Sequence, residues 1–305
     1  MRKALIIISY ILAFSLMADG CGSVSATVST SSLDVSSASE LIEALDVSAP
    51  GTSESRSDEA VIDYSNTSEG YVMVDYLIAS DRLIKAQVKG PETTYTYSIE
   101  PEVWAAFPLS DGDGFYTVTI LDNVAGSKYA MVLSADFDVT LNDEFEPFLR
   151  PNQYVNFSNA PLSVAMAAEL TKDCVSTLDK VASVYEYVIK NLTYDYDKAM
   201  SVSNGYLPDL DDTLESKKGI CFDYASLMTG MLRSLGIPCK LVVGYAGDAY
   251  HAWISVYVDG QGWIDNLVYF DGTSWQFMDP TFASASSDNR EFIGDGSNYS
   301  AKYFY

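Results

Sequence analysis

Residues 219–238 read GICFDYASLMTGMLRSLGIP, and this segment limits the fold more than any other. Its apolar positions Phe222, Ala225, Met228, Met231, Leu232 and Leu235 return mostly every three or four residues, which predicts a helix. Gly236 and Pro238 predict where that helix stops. Four strand-like runs follow: KLVVGYAG, HAWISVYV, GWIDNLVYF and SWQFMD. Asp259-Gly260 and Asp271-Gly272 are turn signals between them. One helix feeding an antiparallel sheet is an α+β arrangement.

Upstream, Pro161 to Leu170 reads as a short helix with proline at a tolerated first position. Cys174 to Leu192 has helical spacing, and an irregular stretch then runs to Gly219. In it the acids Asp209, Asp211, Asp212 and Glu215 lack the glycine and spacing of a calcium loop, so a solvated loop is expected. Residues 69–150 differ in character. Runs such as YVMVDYLI, TYTYSIE, FYTVTILD and KYAMVLSADFDVTL, separated by SDGDG and VAGSK, predict short strands in a small β-sandwich. Residues 22–68 are rich in Ser and Thr, and such composition buries too little apolar surface to offset ordering entropy, so a flexible tether is expected. Residues 151–305 complete the division as the α+β domain.

Residues 1–21 read as an export signal. Arg2 and Lys3 precede an apolar run from Ala4 to Leu16 that is short for a membrane span. Small residues then lead to Cys21, a site of lipid attachment in the lipoprotein reading; simple secretion is the alternative. The expected location is therefore the outer face of the cell membrane, with the membrane contacted through the lipid alone. The formal net charge of −24 repels polyanions and sets nucleic acid aside as a partner.

The chain has four cysteines, Cys21, Cys174, Cys221 and Cys239, and one histidine, His251. No CxxC spacing occurs, so no metal site is expected, and no cofactor is called for. A Cys174–Cys239 bridge stays open. A thiol reacts as thiolate, and both a helix N-terminus and a nearby imidazolium favour that form. Cys221 stands where the Gly219 turn enters the predicted helix. The imidazole has to come from His251, which opens the HAWISVYV strand. A carboxylate should fix the ring's orientation. Asp265 and Asp279 are candidates; Asp279, at a strand end before Pro280, is preferred.

GICFDYASLMTGMLRSLGIPCKLVVGYA, then HAWISVYVDGQGWI, then MDPTF, resembles the core of the transglutaminase-like superfamily. The resemblance covers roughly residues 180–285. It implies a papain-like fold, the helix bearing the cysteine packed on an antiparallel sheet. It also implies Cys221 as nucleophile, His251 as base and Asp279 as orienting acid, with Tyr194 as a candidate oxyanion support. In many relatives Gly-Trp leads almost directly to Asp-Pro; here the stretch between Trp263 and Asp279 reads as an inserted hairpin. The implied activity is cysteine-dependent acyl transfer on amide bonds of a peptide or protein substrate. Hydrolysis of the same bonds, and a non-catalytic surface binding module, are the alternatives.

Overall fold

The computed structural model describes residues 44–265, 268–270, 275–277 and 298–305. The expectations for the export signal, for Cys21 and for Asp279 lie outside these residues. No helix among the described residues is long and apolar enough to cross a membrane.

The first half is strands with one short 3-10 turn, Thr67–Glu69: β1 (Glu54–Arg56), β2 (Ala60–Asp63), β3 (Tyr71–Tyr76), β4 (Ile84–Lys89), β5 (Thr94–Ile99), β6 (Ala105–Pro108), β7 (Gly114–Ala125) and β8 (Lys128–Val139). They form two four-stranded antiparallel sheets, ordered β1-β2-β3-β6 and β5-β4-β7-β8. Side chains alternate across a strand, and β5 shows it: Tyr95, Tyr97 and Ile99 are buried while Thr94, Thr96 and Ser98 face out. Val72 and Val74 of one sheet share a core with Val88, Val118 and Phe137 of the other. The tether expected over 22–68 differs here. From Glu54 the chain is in strands, and Ala60, Val61 and Ile62 are fully buried. The run AVID carries enough apolar surface to join the sheet, which the serine-rich flanks obscure.

The second half is α+β, as expected. Helices α1 (Pro161–Thr171), α2 (Thr177–Asn191), α3 (Tyr196–Ser201), α4 (Leu210–Ser216) and α5 (Cys221–Ser234) accompany a sheet of order β13-β12-β11-β16. Its strands are β11 (Cys239–Ala246), β12 (Ala249–Val258), β13 (Gly262–Ile264) and β16 (Tyr299–Phe304). Two-residue strands β9 (Thr193–Tyr194) and β10 (Lys218–Gly219) pair in parallel, and β14 (Val268–Phe270) pairs with β15 (Trp275–Phe277) as the inserted hairpin.

Helix α2 begins later than its periodicity predicts. Ser176 accepts from the Asp179 amide at 3.1 Å while the Asp179 carboxylate accepts from Ser176, a reciprocal cap that sets the start. The acidic stretch expected as a solvated loop is α4, with the Asp209 side chain capping it through the Asp212 amide at 2.9 Å. Asp211 has a second task. Its carboxylate accepts from the Leu162 and Ser163 amides at 3.1 and 2.8 Å, capping α1, whose own N-cap residue is Ala160.

Helix α5 is buried on nearly every side, against α1, α2 and α4 on one face and β11 and β12 on the other. Tyr224, Leu227, Met228, Met231 and Leu232 have no exposed surface, and each such side chain contributes roughly 1.5–3 kcal/mol by burial. Gly236, at a φ of 73°, ends the helix, and the Ile237 amide reaches back to Leu232 O at 3.1 Å. The two halves meet through tyrosines. Tyr97 of β5 lies 5.7 Å from Tyr154 and 5.8 Å from Tyr305, ring centre to ring centre.

Candidate active site

Cys221 is the first residue of α5. The opening amides of a helix have no intrahelical acceptor and carry the positive end of its dipole. A thiol placed there gains stabilisation of its anion. The turn before it is tight. A Cβ at Gly219 would stand 2.7 Å from Asp223 Cβ, so only glycine lets the Asp223 carboxylate press against this backbone.

His251 is buried on β12, opposite Gly244 of β11. Its ring stacks near Trp253 at 6.3 Å and meets the edge of Tyr299 of β16 at 6.1 Å. Gly244 is required too, because a Cβ there would run into the Ser300 carbonyl and the Trp253 ring. Those contacts pin the strand that carries the imidazole.

Cys221 and His251 line one cavity of about 430 Å³. Tyr194 lines it as well; the β9–β10 register sets that residue opposite Gly219, two residues before the thiol. Tyr154, Tyr206, Phe222, Tyr250 and Tyr305 add an aromatic wall, and no Asp, Glu, Lys or Arg lines it among the described residues. Burial, then neighbouring tyrosines and the Cys221 thiol, push the Tyr250 hydroxyl up, so ring and thiol are within electrostatic reach of each other. Burial pushes the Tyr154 hydroxyl up to about 12, so it stays protonated at working pH.

Of the two acids left open by sequence, Asp265 is placed away from the imidazole. Val256 pairs with Ile264, so Asp265 stands level with Ser255. That is four residues beyond His251, or about 13 Å of strand. Asp265 is exposed, and its charge acts on Lys240, whose ammonium sits over Trp263 at 3.7 Å. None of Cys174, Cys221 and Cys239 is in a disulfide. The Cys174 sulfur lies 3.3 Å from Ser183 Oγ, and Cys239 donates to Thr229 Oγ1 at 3.7 Å.

Sequence reasoning missed a polar cluster beside the nucleophile turn. Asp223 is 1% exposed. It accepts from the Ile220 amide at 2.8 Å, from the Tyr206 hydroxyl at 2.5 Å and from Lys198 Nζ at 2.8 Å. Lys198 and Tyr206 are 25 and 17 residues away, so spacing gave no sign of them; an Asp in the first turn after a Gly-Ile-Cys start was the one available signal.

A cysteine at a helix start and a strand-borne histidine opening on one cleft define a papain-like α+β thiol fold. Residues 164–266 match the family model described as the transglutaminase-like superfamily. An uncharacterised protein of Bacillus subtilis (strain 168), YebA, is 32% identical over 120 residues, covering 32% of this chain and 16% of that protein. Protein MJ1282 of Methanocaldococcus jannaschii is 31% identical over 100 residues, covering 29% and 28%. The matched region is thus well under half the length of either relative. Among solved structures, a candidate cysteine protease from Cytophaga hutchinsonii is similar with 15% identity, 83% of this chain and 73% of that one covered, and a TM-score of 0.40. The periplasmic domain of TgpA from Pseudomonas aeruginosa is similar with 14% identity, 71% and 94% covered, and a TM-score of 0.38.

Proposed function

We propose that the protein is a cysteine acyltransferase acting on amide bonds of peptides or proteins, with Cys221 as nucleophile and His251 as its acid–base partner. The observation that carries this reading is the shared cavity: a helix-start thiol and the chain's single imidazole open on the same cleft. The cleft's uncharged lining suits a neutral carboxamide or peptide group.

The Cys221 thiolate adds to the amide carbonyl carbon. The oxygen takes the negative charge and is met by the opening amides of α5 and by the Tyr194 hydroxyl. The C–N bond breaks, the departing nitrogen takes a proton from the His251 imidazolium, and a thioester remains. An incoming amine gives its proton to His251 and displaces the thiolate. Asp279 fixes the imidazole's orientation in this scheme. No metal takes part in it.

The test is incubation of the chain lacking residues 1–21 with a labelled primary amine and a protein mixture, beside a Cys221→Ala control. Amine incorporation lost in the control supports transfer. Peptide cleavage lost in the control makes water the acceptor, and neither activity leaves a binding module. Export and lipid attachment at Cys21 belong to the same reading and rest on the basic and apolar order of residues 2–16. A Cys21→Ser variant should leave the membrane pellet; retention there would remove the lipid anchor from the account.

A further inference from the structure

None of the side chains around Asp223 bonds to the reacting groups in the scheme above, yet the cluster touches the turn that carries the thiol. Lys198 of α3 donates to the Tyr206 hydroxyl at 2.7 Å and to Asp223 Oδ2 at 2.8 Å, and Tyr206 donates to Asp223 Oδ1 at 2.5 Å. The three side chains close a triangle. Its third corner also receives the Ile220 amide, the peptide just before Cys221. The segment bearing Lys198 is fastened to the same turn through its backbone, where the Asp195 amide reaches Gly219 O at 2.9 Å.

A carboxylate two residues from a nucleophilic thiol works against it. A like charge within several ångströms disfavours a second anion, by one to a few pH units when both are poorly solvated. Asp223 is fully buried, so water does not screen it. We propose that Lys198 is a positioning residue for the acyl reaction: paired with Asp223, it cancels the carboxylate's charge at the head of α5, so that this helix end can carry the Cys221 thiolate. This rests on the reading of Cys221 as nucleophile.

The other groups facing the cluster do not supply that compensation. Burial, then Asp223, push the Tyr206 hydroxyl up, with smaller contributions from Asp212 of α4 and from Asp209, which caps that helix, so Tyr206 stays a neutral donor. Tyr250 and His251 of β12 and Tyr194 of β9 line the cleft. Asp195 uses its carboxylate on the Lys198 amide at 2.9 Å. Lys198 is the cation that pairs with Asp223 among the described residues.

The experiment reads the pH dependence of Cys221 alkylation by iodoacetamide, followed by peptide mass spectrometry on the whole chain. Lys198→Met leaves the carboxylate uncompensated and should raise the midpoint by about one pH unit. Asp223→Asn removes the anion and keeps the cation, so the midpoint should fall. The double variant should return close to the parent value, and Lys198→Arg should hold it. A brace with no electrostatic role would move both single variants the same way, and that result, or no movement in either, overturns the proposal. The readout needs no turnover. Opposite shifts in a chain without acyltransferase activity would sink the functional reading and leave the charge pairing standing.

Discussion

Replacing Arg233 by Met should destabilise the protein by about 4 kcal/mol, because the guanidinium is a buried cross-brace and not a surface charge. Arg233 is 1% exposed. Its Nε donates to Cys239 O at 2.8 Å, one terminal nitrogen to Arg150 O at 2.7 Å and the other to Tyr305 O at 2.6 Å. One side chain thus ties α5 to the start of β11, to the junction between the halves and to the residue after β16. Burial lowers the guanidinium to about 10, which still leaves it charged at neutral pH. Three charge-assisted bonds at roughly 1.5–3 kcal/mol each sum to about 4.5–9 kcal/mol, with a middle value near 7. Methionine refills the stem's volume and removes the desolvated charge, which returns about 2–4 kcal/mol. The net loss corresponds to a melting temperature lower by about 10 °C. Urea unfolding followed by tryptophan fluorescence reads it, with the midpoint falling and the slope unchanged. Lys in place of Arg reaches fewer of the three carbonyls and should recover less than half of the loss. A loss under about 1 kcal/mol for Arg233→Met would refute the brace.

Asp211→Ala should lower stability by about 1–3 kcal/mol, since α1 loses the carboxylate that caps it from α4; Asp211→Asn should recover part of it in the same urea assay. In native protein at pH 8, iodoacetamide should modify Cys221 and leave Cys239 untouched. Burial raises the Cys239 thiol to about 12, so only about one molecule in ten thousand is thiolate there, with reactivity rising tenfold per pH unit. Equal labelling of the two on peptide mapping would count against the burial argument. Tyr194→Phe should lower kcat by about a hundredfold with KM little changed if its hydroxyl meets the oxyanion; a change in KM alone would make it a binding contact.

The parts legible in sequence are those with strong local signals. Helix α5 was readable from its spacing and from Gly236 and Pro238, and β12 from HAWISVYV. That Cys221 and His251 line one cleft agrees with there being one imidazole and with the order of the motifs. Less legible were elements held by distant partners. Asp209, Asp211 and Asp212 look like a solvated run, yet two of them cap helices. β16 was not anticipated, because YSAKYF gains its strand character from pairing with β11 across more than fifty residues. The Lys198–Tyr206–Asp223 triangle has the same origin: its members meet through tertiary folding, and no spacing in the chain announces it.

The proposed acyl transfer requires Cys221 to react as a thiolate beside His251. The most direct test is the ultraviolet thiolate absorbance of the native protein, titrated beside Cys221→Ala and His251→Ala. A thiolate band that is lost in the first variant and moves to higher pH in the second is the predicted result. A band that Cys221→Ala leaves in place, or whose onset does not depend on His251, would contradict it.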